Sequence, residues 1–148
     1  MSTTMPTAAD LLKRRKRILV TGGAGFIGGA VVRRLLSESD ATVFNLDKMG
    51  YASDLTSITR TLATLDEGAA QRHQLLTVDL SDAEAVRQAV RTADPDLVMH
   101  LAAESHVDRS ISGPGVFVES NVLGTFNLLQ ATREHYENLE GHRKDDFR

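Results

Sequence analysis

The stretch Thr21-Gly22-Gly23-Ala24-Gly25-Phe26-Ile27-Gly28 sets glycines at 22, 25 and 28 between an apolar run and a segment of helical spacing. Residues of this kind make and break no bonds; their chemistry is recognition of an anion by bare backbone. Gly22 lets the chain turn sharply, and Gly25 lets peptide N–H groups approach a pyrophosphate with no Cβ in the way. Gly28 lets the following helix pack close to the strand before the loop. The positive end of that helix's dipole then faces the anion. Glycine spacing alone is a weak signal, because glycine turns often serve only geometry, but a strand before and a helix after is the context the motif requires. Asp47, 19 residues after Gly28, stands where an acidic side chain accepts hydrogen bonds from both hydroxyls of an adenosine ribose and repels a 2′-phosphate. The dinucleotide expected is therefore NAD rather than NADP. Lys48 beside it is a cation that tolerates a phosphate, and the plainer reading of Asp47 is a strand-end turn residue.

These groups need elements to hold them. Ile18-Leu19-Val20, ending in Thr21-Gly22, reads as a buried parallel strand, and Phe26 to Leu36 as a helix with Phe26, Ile27, Ala30, Val31 and Leu35 on one broad face. Thr42 to Leu46, closed by Asp47, is a second strand, and Asp54 caps a helix running to about Leu65. Leu75 to Leu80 gives a third strand. Ser81 and Asp82 open a helix over Ala83 to Thr92, with Glu84 placed as in a capping box. Pro95 precedes a fourth strand, Leu97 to Leu101, and Val116 to about His142 reads as one long helix. Strand and helix alternate throughout, which predicts an α/β fold: a Rossmann-type doubly wound parallel sheet with right-handed crossovers. Such sheets have about six strands, so this one is expected to be truncated after about four, with the fourth at an edge. Residues 1–16 are expected to be a flexible leader and 17–148 an incomplete nucleotide-binding domain, with no substrate domain.

Asp79-Leu80 and Leu101-Ala102-Ala103 close the third and fourth strands, at the edge where open α/β sheets bind ligands. Asp79 either hydrogen-bonds an adenine edge or begins the turn into Ser81. His100, inside a strand, reads as a satisfied core histidine. Asp108 reads as the cap of the turn before Gly113-Pro114, and Asn121 as a structural hydrogen-bonder near the strand ends. The net charge of −3 offers no basic field for nucleic acid. No apolar run reaches the ~18 residues that would span a membrane. Without cysteine there is no thiolate metal site, and no other metal-ligand spacing occurs. No secretory signal pattern precedes Ile18, so the cytoplasm is the expected location.

The run His100-Leu101-Ala102-Ala103-Glu104-Ser105-His106-Val107-Asp108-Arg109-Ser110 carries a more specific likeness. With Thr21 to Gly28, Asp47-Lys48 followed by Tyr51-Ala52, and Glu119-Ser120-Asn121-Val122-Leu123-Gly124-Thr125, it resembles the dTDP-glucose 4,6-dehydratases. These are extended short-chain dehydrogenase/reductases, and the likeness runs from about Arg17 to Glu137. Sugar-nucleotide epimerases share the glycine loop and the Asn-Val-x-Gly-Thr stretch, but usually not the Ala-Ala-Glu-Ser-His-Val-Asp run.

The resemblance implies NAD as cofactor, with Phe26 and Ile27 over the pyrophosphate and Asp47, Lys48, Met49 and Gly50 along the adenosine ribose. Asp79 and Leu80 would border the adenine, and Leu101, Ala102, Ala103 and Ser105 the nicotinamide side. Ser120 replaces the family's usual Thr and keeps the hydroxyl; Ser105 would also touch the sugar nucleotide. Met49-Gly50 departs from the usual Leu-Thr. In the family's redox-neutral reaction, NAD takes a hydride from C4 of the glucose, water leaves across C5 and C6, and the hydride returns to C6. That chemistry uses a Tyr-x-x-x-Lys pair and an Asp-Glu pair. Tyr51 and Tyr136 are followed four residues later by Leu55 and Glu140, and no residue here is assigned a catalytic role. The expected function is the NAD-binding portion of a dehydratase converting dTDP-glucose to dTDP-4-keto-6-deoxyglucose and water, inactive by itself. A stand-alone NAD-binding or interaction module without catalysis, and the amino-terminal piece of a sugar-nucleotide 4-epimerase, are the alternatives. The resemblance also implies a homodimer, to which the long helix contributes.

Overall fold

In a computed structural model the structure describes residues 15–148, apart from the side chains of residues 107, 109 and 110. Of the leader expected over residues 1–16, residues 1–14 lie outside the described residues. Of its last two positions, Arg15 is buried and donates from Nη2 to the Asp146 carbonyl at 2.8 Å. The amides of Lys16 and Arg17 both donate to Asp96 Oδ2 at 3.0 Å.

Four strands, β1 (Arg17–Thr21), β2 (Thr42–Asp47), β3 (His73–Thr77) and β4 (Leu97–His100), form one parallel sheet in the order β3-β2-β1-β4. The register sets Thr21 beside both Leu46 and His100, and Asp47 beside Thr77. All four strands therefore end at one level, and their outgoing loops share one edge. β1 is buried on both faces. Ile18 and Val20 pack with Val32, Leu35 and Leu36 of α1 (Phe26–Glu38) and Ile58 of α2 (Thr56–Leu62). Leu19 points the other way, among Val86, Ala89 and Val90 of α4 (Ala83–Ala93) and Leu128 and Ala131 of α7 (Gly124–Asn138). Alternate residues of one strand thus feed two apolar layers, as a central parallel strand requires.

Several boundaries differ from the sequence expectation. β3 starts at His73 and stops at Thr77 rather than running Leu75 to Leu80. Its ladder is set by β2, and Asp79 then turns the chain, its Oδ1 accepting from the amide and hydroxyl of Ser81 at 2.9 Å. Asp79 and Leu80 consequently lie past the strand. The helix expected from Asp54 to Leu65 is α2 followed by a separate α3 (Glu67–Gln71), capped by Asp66, which accepts from the Ala69 amide at 2.9 Å. Asp54 still holds the α2 entry through the Thr56 amide at 2.7 Å. At α4 the cap is Asp82, while Glu84 turns to Arg87 and Arg91 instead of closing a capping box.

The single helix expected over Val116 to His142 is divided. After α5 (Val107–Ser112), whose first turn holds Asp108, come α6 (Pro114–Phe117), a π-helical turn (Val118–Leu123), α7 and α8 (Gly141–Asp146). Asp108 therefore does not cap the Gly113-Pro114 turn. Between α7 and α8 the backbone extends at Leu139, whose side chain is buried. β4 lies at the sheet edge as expected, but Arg148 makes one parallel rung on it. The Arg148 amide donates to the Asp96 carbonyl at 3.3 Å, and the Val98 amide donates to the Arg148 carbonyl at 2.8 Å.

Candidate functional site

The glycine loop leaves β1 at the edge where the strands end. Gly22 has φ +69°, in the left-handed region, and a Cβ there would lie 2.6 Å from the Ala102 Cα. A Cβ on Gly28 would run into the Gly22 carbonyl. These two positions hold loop, helix and β4 exit together, and only glycine fits. Gly25 differs: a Cβ there would meet only the Gly22 carbonyl oxygen, at 3.2 Å. It sits on the cleft wall as the residue preceding α1. Among the described residues no side chain caps α1, and its first turn carries no acidic residue. Its leading N–H groups and dipole are thus uncompensated by side chains. Phe26 and Ile27 stand on the rim at 97% and 65% exposure, unusual for large apolar side chains in a fold with a well-packed core.

Asp47, at the end of β2, is only 7% exposed. Its Oδ2 accepts from the Ala24 amide at 3.0 Å, and its Oδ1 accepts from the Met49 amide at 2.9 Å and the Ser53 hydroxyl at 2.7 Å. The Asp54 amide also donates to the Ala24 carbonyl at 2.8 Å. The carboxylate therefore fastens the glycine loop to the loop after β2. A carboxylate offers about four acceptor positions, so one on Oδ2 is left for another donor.

The loop after β2 reaches the loop after β4 through two contacts. Lys48 Nζ donates to Glu104 Oε1 at 2.8 Å, and the Tyr51 hydroxyl lies 2.9 Å from His106 Nδ1, the two rings meeting edge to face. The Glu104 carboxylate holds the Lys48 ammonium above its ordinary pKa. Glu104 is in turn bracketed by Asn121, whose Oδ1 accepts the Glu104 amide at 2.8 Å while its Nδ2 donates to the Glu104 carbonyl at 3.0 Å. Asn121 is thus the structural hydrogen-bonder expected. Asp79 both lines the cleft and turns the chain, and its bonds from Ser81 hold its pKa below the usual carboxylate value. Behind Leu80, Asn127 Nδ2 donates to its carbonyl at 2.8 Å, and the α7 N-terminus approaches closely at Gly124.

Together these residues enclose a cleft of about 500 Å³ at the carboxyl ends of the strands. Gly22, Gly25, Phe26, Ile27 and Gly28 form one wall. Asp47, Lys48 and Gly50 form the next, with Asp79 and Leu80 beyond them. Leu101, Ala102, Ala103 and Ser105 line the β4 side, and Ser120 reaches in from the π-helical turn. Met49 is the exception among the expected site residues. Its φ of +55° and its amide bond to Asp47 make it the pivot of a tight turn, and it does not line the cleft. Tyr51, Ala52, Ser53, Val78, Glu104 and His106 line the cleft without having been assigned to it. The Tyr51-Ala52 and Glu104-to-His106 segments lie inside the motifs of the resemblance, the signal by which they could have been found. Among the described residues no cluster of three metal-ligating side chains occurs, and no helix is long and apolar enough to cross a membrane.

A family model described as GDP-mannose 4,6 dehydratase matches residues 19–145. Over 132 residues, covering 89% of this chain, the sequence is 46% identical to dTDP-glucose 4,6-dehydratase of Shigella flexneri. It is 48% identical over the same length to a probable dTDP-glucose 4,6-dehydratase of Sinorhizobium fredii. The chain spans about a third of the length of these curated relatives, 35% and 36% respectively. Among solved structures, DesIV of Streptomyces venezuelae, a dTDP-glucose 4,6-dehydratase with NAD bound, superposes with a TM-score of 0.67 at 42% identity, over 80% of this chain and 36% of that one. The UDP-glucose 4-epimerase of Thermus thermophilus in complex with NAD gives 0.64 at 36% identity, over 80% and 34%.

Proposed function

This chain belongs to the GDP-mannose 4,6 dehydratase family, and from that premise we propose that it is the NAD-binding portion of a dTDP-glucose 4,6-dehydratase. The observation that carries the reading is the meeting, in one cleft, of the uncapped N-terminus of α1 with the buried carboxylate of Asp47. The first suits a pyrophosphate, and the second still has an acceptor for a ribose hydroxyl. Exposed Phe26 and Ile27 flank the anion position and would be covered by a bound dinucleotide. Asp79 and Leu80 would border the adenine, and Leu101, Ala102, Ala103 and Ser120 the nicotinamide half.

Bound NAD would supply the hydride acceptor and then the hydride donor of a redox-neutral elimination of water from dTDP-glucose. This chain's residues bind and orient it: the glycine loop takes the charge of the pyrophosphate and Asp47 selects the ribose. Ser105, exposed on the β4 side, would meet the nucleotide sugar. These 148 residues hold no Tyr-x-x-x-Lys pair, so turnover is not expected of them by themselves. The proposed setting is cytoplasmic. A homodimer is also proposed, supported by the apolar stripe Val118, Val122, Phe126 and Leu129, which is exposed along the π-helical turn and α7.

Isothermal calorimetry of the folded chain with NAD tests the reading. Saturable binding, tighter for NAD than for NADP, is expected. No heat at millimolar NAD from a sample that melts cooperatively would overturn it.

A further inference from the structure

The imidazole of His100 is held from both sides by hydroxyls. Thr21 Oγ1 lies 2.6 Å from Nδ1, and Thr125 Oγ1 lies 2.9 Å from Nε2. A threonine hydroxyl has one hydrogen to donate. Thr125 donates its hydrogen to the Asn121 carbonyl at 2.7 Å, so toward His100 it accepts, and Nε2 carries the ring hydrogen. On the other side, Thr21 Oγ1 accepts the amide of Ala102 at 3.3 Å and shares the amide of Leu101, at 3.2 Å, with the Thr21 carbonyl, also at 3.2 Å. That leaves its own hydrogen for Nδ1. Donors and acceptors along this chain match in one way, with His100 neutral and protonated on Nε2.

The sequence marked His100 as a satisfied core histidine. It is satisfied, but it is not core: it ends the edge strand β4, with part of the residue open to solvent and its ring partly covered. Its bonds run from the end of β1 to the first turn of α7, passing the Leu101–Ala102 peptide, which forms part of the cleft wall. Asn121, at the far end of the chain of bonds, is the residue that brackets Glu104.

We propose that His100 is a positioning residue of the cofactor cleft, whose neutral Nε2–H tautomer fixes the Leu101–Ala102 peptide through Thr21 and the Asn121–Glu104 bracket through Thr125. Protonation of Nδ1 sets a second hydrogen against the Thr21 hydroxyl. Thr21 must then turn to accept from the ring while still holding two amides, and its grip on Leu101 and Ala102 loosens. Burial of the ring keeps its pKa below the ordinary histidine value, which favours the neutral form. Hydroxyls face it from β1 and from α7, and the carboxylate beyond the strand end, Glu104, is engaged by Lys48. Only the link to affinity rests on the NAD reading of the cleft.

Long-range ¹H–¹⁵N spectra of the imidazole rings test the proposal, with His100 assigned by its loss in His100→Gln. The expected pattern is a protonated Nε2 and a bare Nδ1. The Leu101 and Ala102 amide shifts should move in step with the ring as pH falls from about 8 to about 5. Thr125→Ser should keep this pattern and the NAD affinity of the unsubstituted chain. Thr125→Val should mix the tautomers, shift those amides and weaken NAD binding by about five- to tenfold, the loss of about one hydrogen bond. An Nδ1–H tautomer, amides that ignore the ring titration, or unchanged NAD affinity in a Thr125→Val variant with mixed tautomers would overturn the proposal. If the spectra come out as expected and no variant binds NAD, the positioning role stands and the NAD reading of the cleft falls.

Discussion

Lys48 and Glu104, 56 residues apart in sequence, close an ion pair of 2.8 Å between two loops of the cleft. The cation beside Asp47 is therefore already engaged and is not at hand for a 2′-phosphate. Glu104→Gln releases it. NADP affinity should then rise by about three- to tenfold, a gain of roughly 1 kcal/mol, while NAD affinity stays nearly level. The pair is partly open to solvent, so the stability lost should be under about 1 kcal/mol. Paired titrations of both dinucleotides check this, and unchanged NADP affinity would show that Lys48 does not face the ribose.

How much of this arrangement was legible in the sequence follows from the distance over which each piece is determined. Strand and helix order came from local apolar periodicity, and the glycine loop from turn chemistry confined to eight residues. β3 was expected to start two residues late and to run on to Leu80 because Val78 and Leu80 continue the apolar pattern of Leu75 and Leu76, whereas pairing with β2 and the Asp79 turn decide where the ladder runs. Lys48–Glu104 and Tyr51–His106 left no local trace. They exist because β1 lies between β2 and β4, so the loops after those two strands meet over the loop between them. The break at Leu139 and the π-helical turn were also hidden, since both sit inside an unbroken helical pattern of side chains.

Asp47 is expected to matter for the fold as well as for the ligand. Asp47→Ala strands the buried Ala24 amide and the part-buried Met49 amide and Ser53 hydroxyl. That should cost about 2 kcal/mol or more, a fall in melting temperature of roughly 5 °C or more for a chain of this size. Ser53→Ala, which removes only one of these donors, should cost about half as much. Calorimetric melting of the two variants separates them. Equal melting of Asp47→Ala and the unsubstituted chain would mean that the loop is held by something else.

Two glycines should respond differently to the same methyl group. Gly25→Ala meets only one carbonyl oxygen, at 3.2 Å, so folding should survive within about 1 kcal/mol, the usual helix-end cost. NAD affinity should fall at least about tenfold, because the methyl occupies the anion's approach. Gly28→Ala collides with rigid backbone and should destabilise the domain by several kcal/mol, roughly the range of severe overpacking. Melting curves with NAD titrations distinguish the two, and a Gly25→Ala variant that binds normally would remove the phosphate from that position.

Stability should also depend on pH around neutrality. Burial lowers the pKa of both His73 and His100 below the ordinary 6.5. The unfolded chain therefore takes up protons at a higher pH than the folded one. By linkage, folding is unaffected well above pH 6.5 and weakens as pH falls through that value toward the folded pKa values. Melting temperature should drop by a few degrees between about pH 7 and about pH 5. Replacing both histidines with Gln should flatten that slope, and an unaltered slope would assign it to other groups.

The π-helical turn Val118–Leu123 has a consequence for which lengths of this segment the fold can tolerate. A π turn behaves as an α-helix with one residue too many. Deleting one residue between Val118 and Leu123 would let the segment relax into regular α-helix, with α6 and α7 keeping their mutual register and only the residues of the widened turn changing direction. Ser120 and Asn121 would then swing relative to Thr125, and Glu104 would lose its bracket although every other side chain was kept. This short stretch should accept substitutions along its exposed apolar face far more readily than any change in its length.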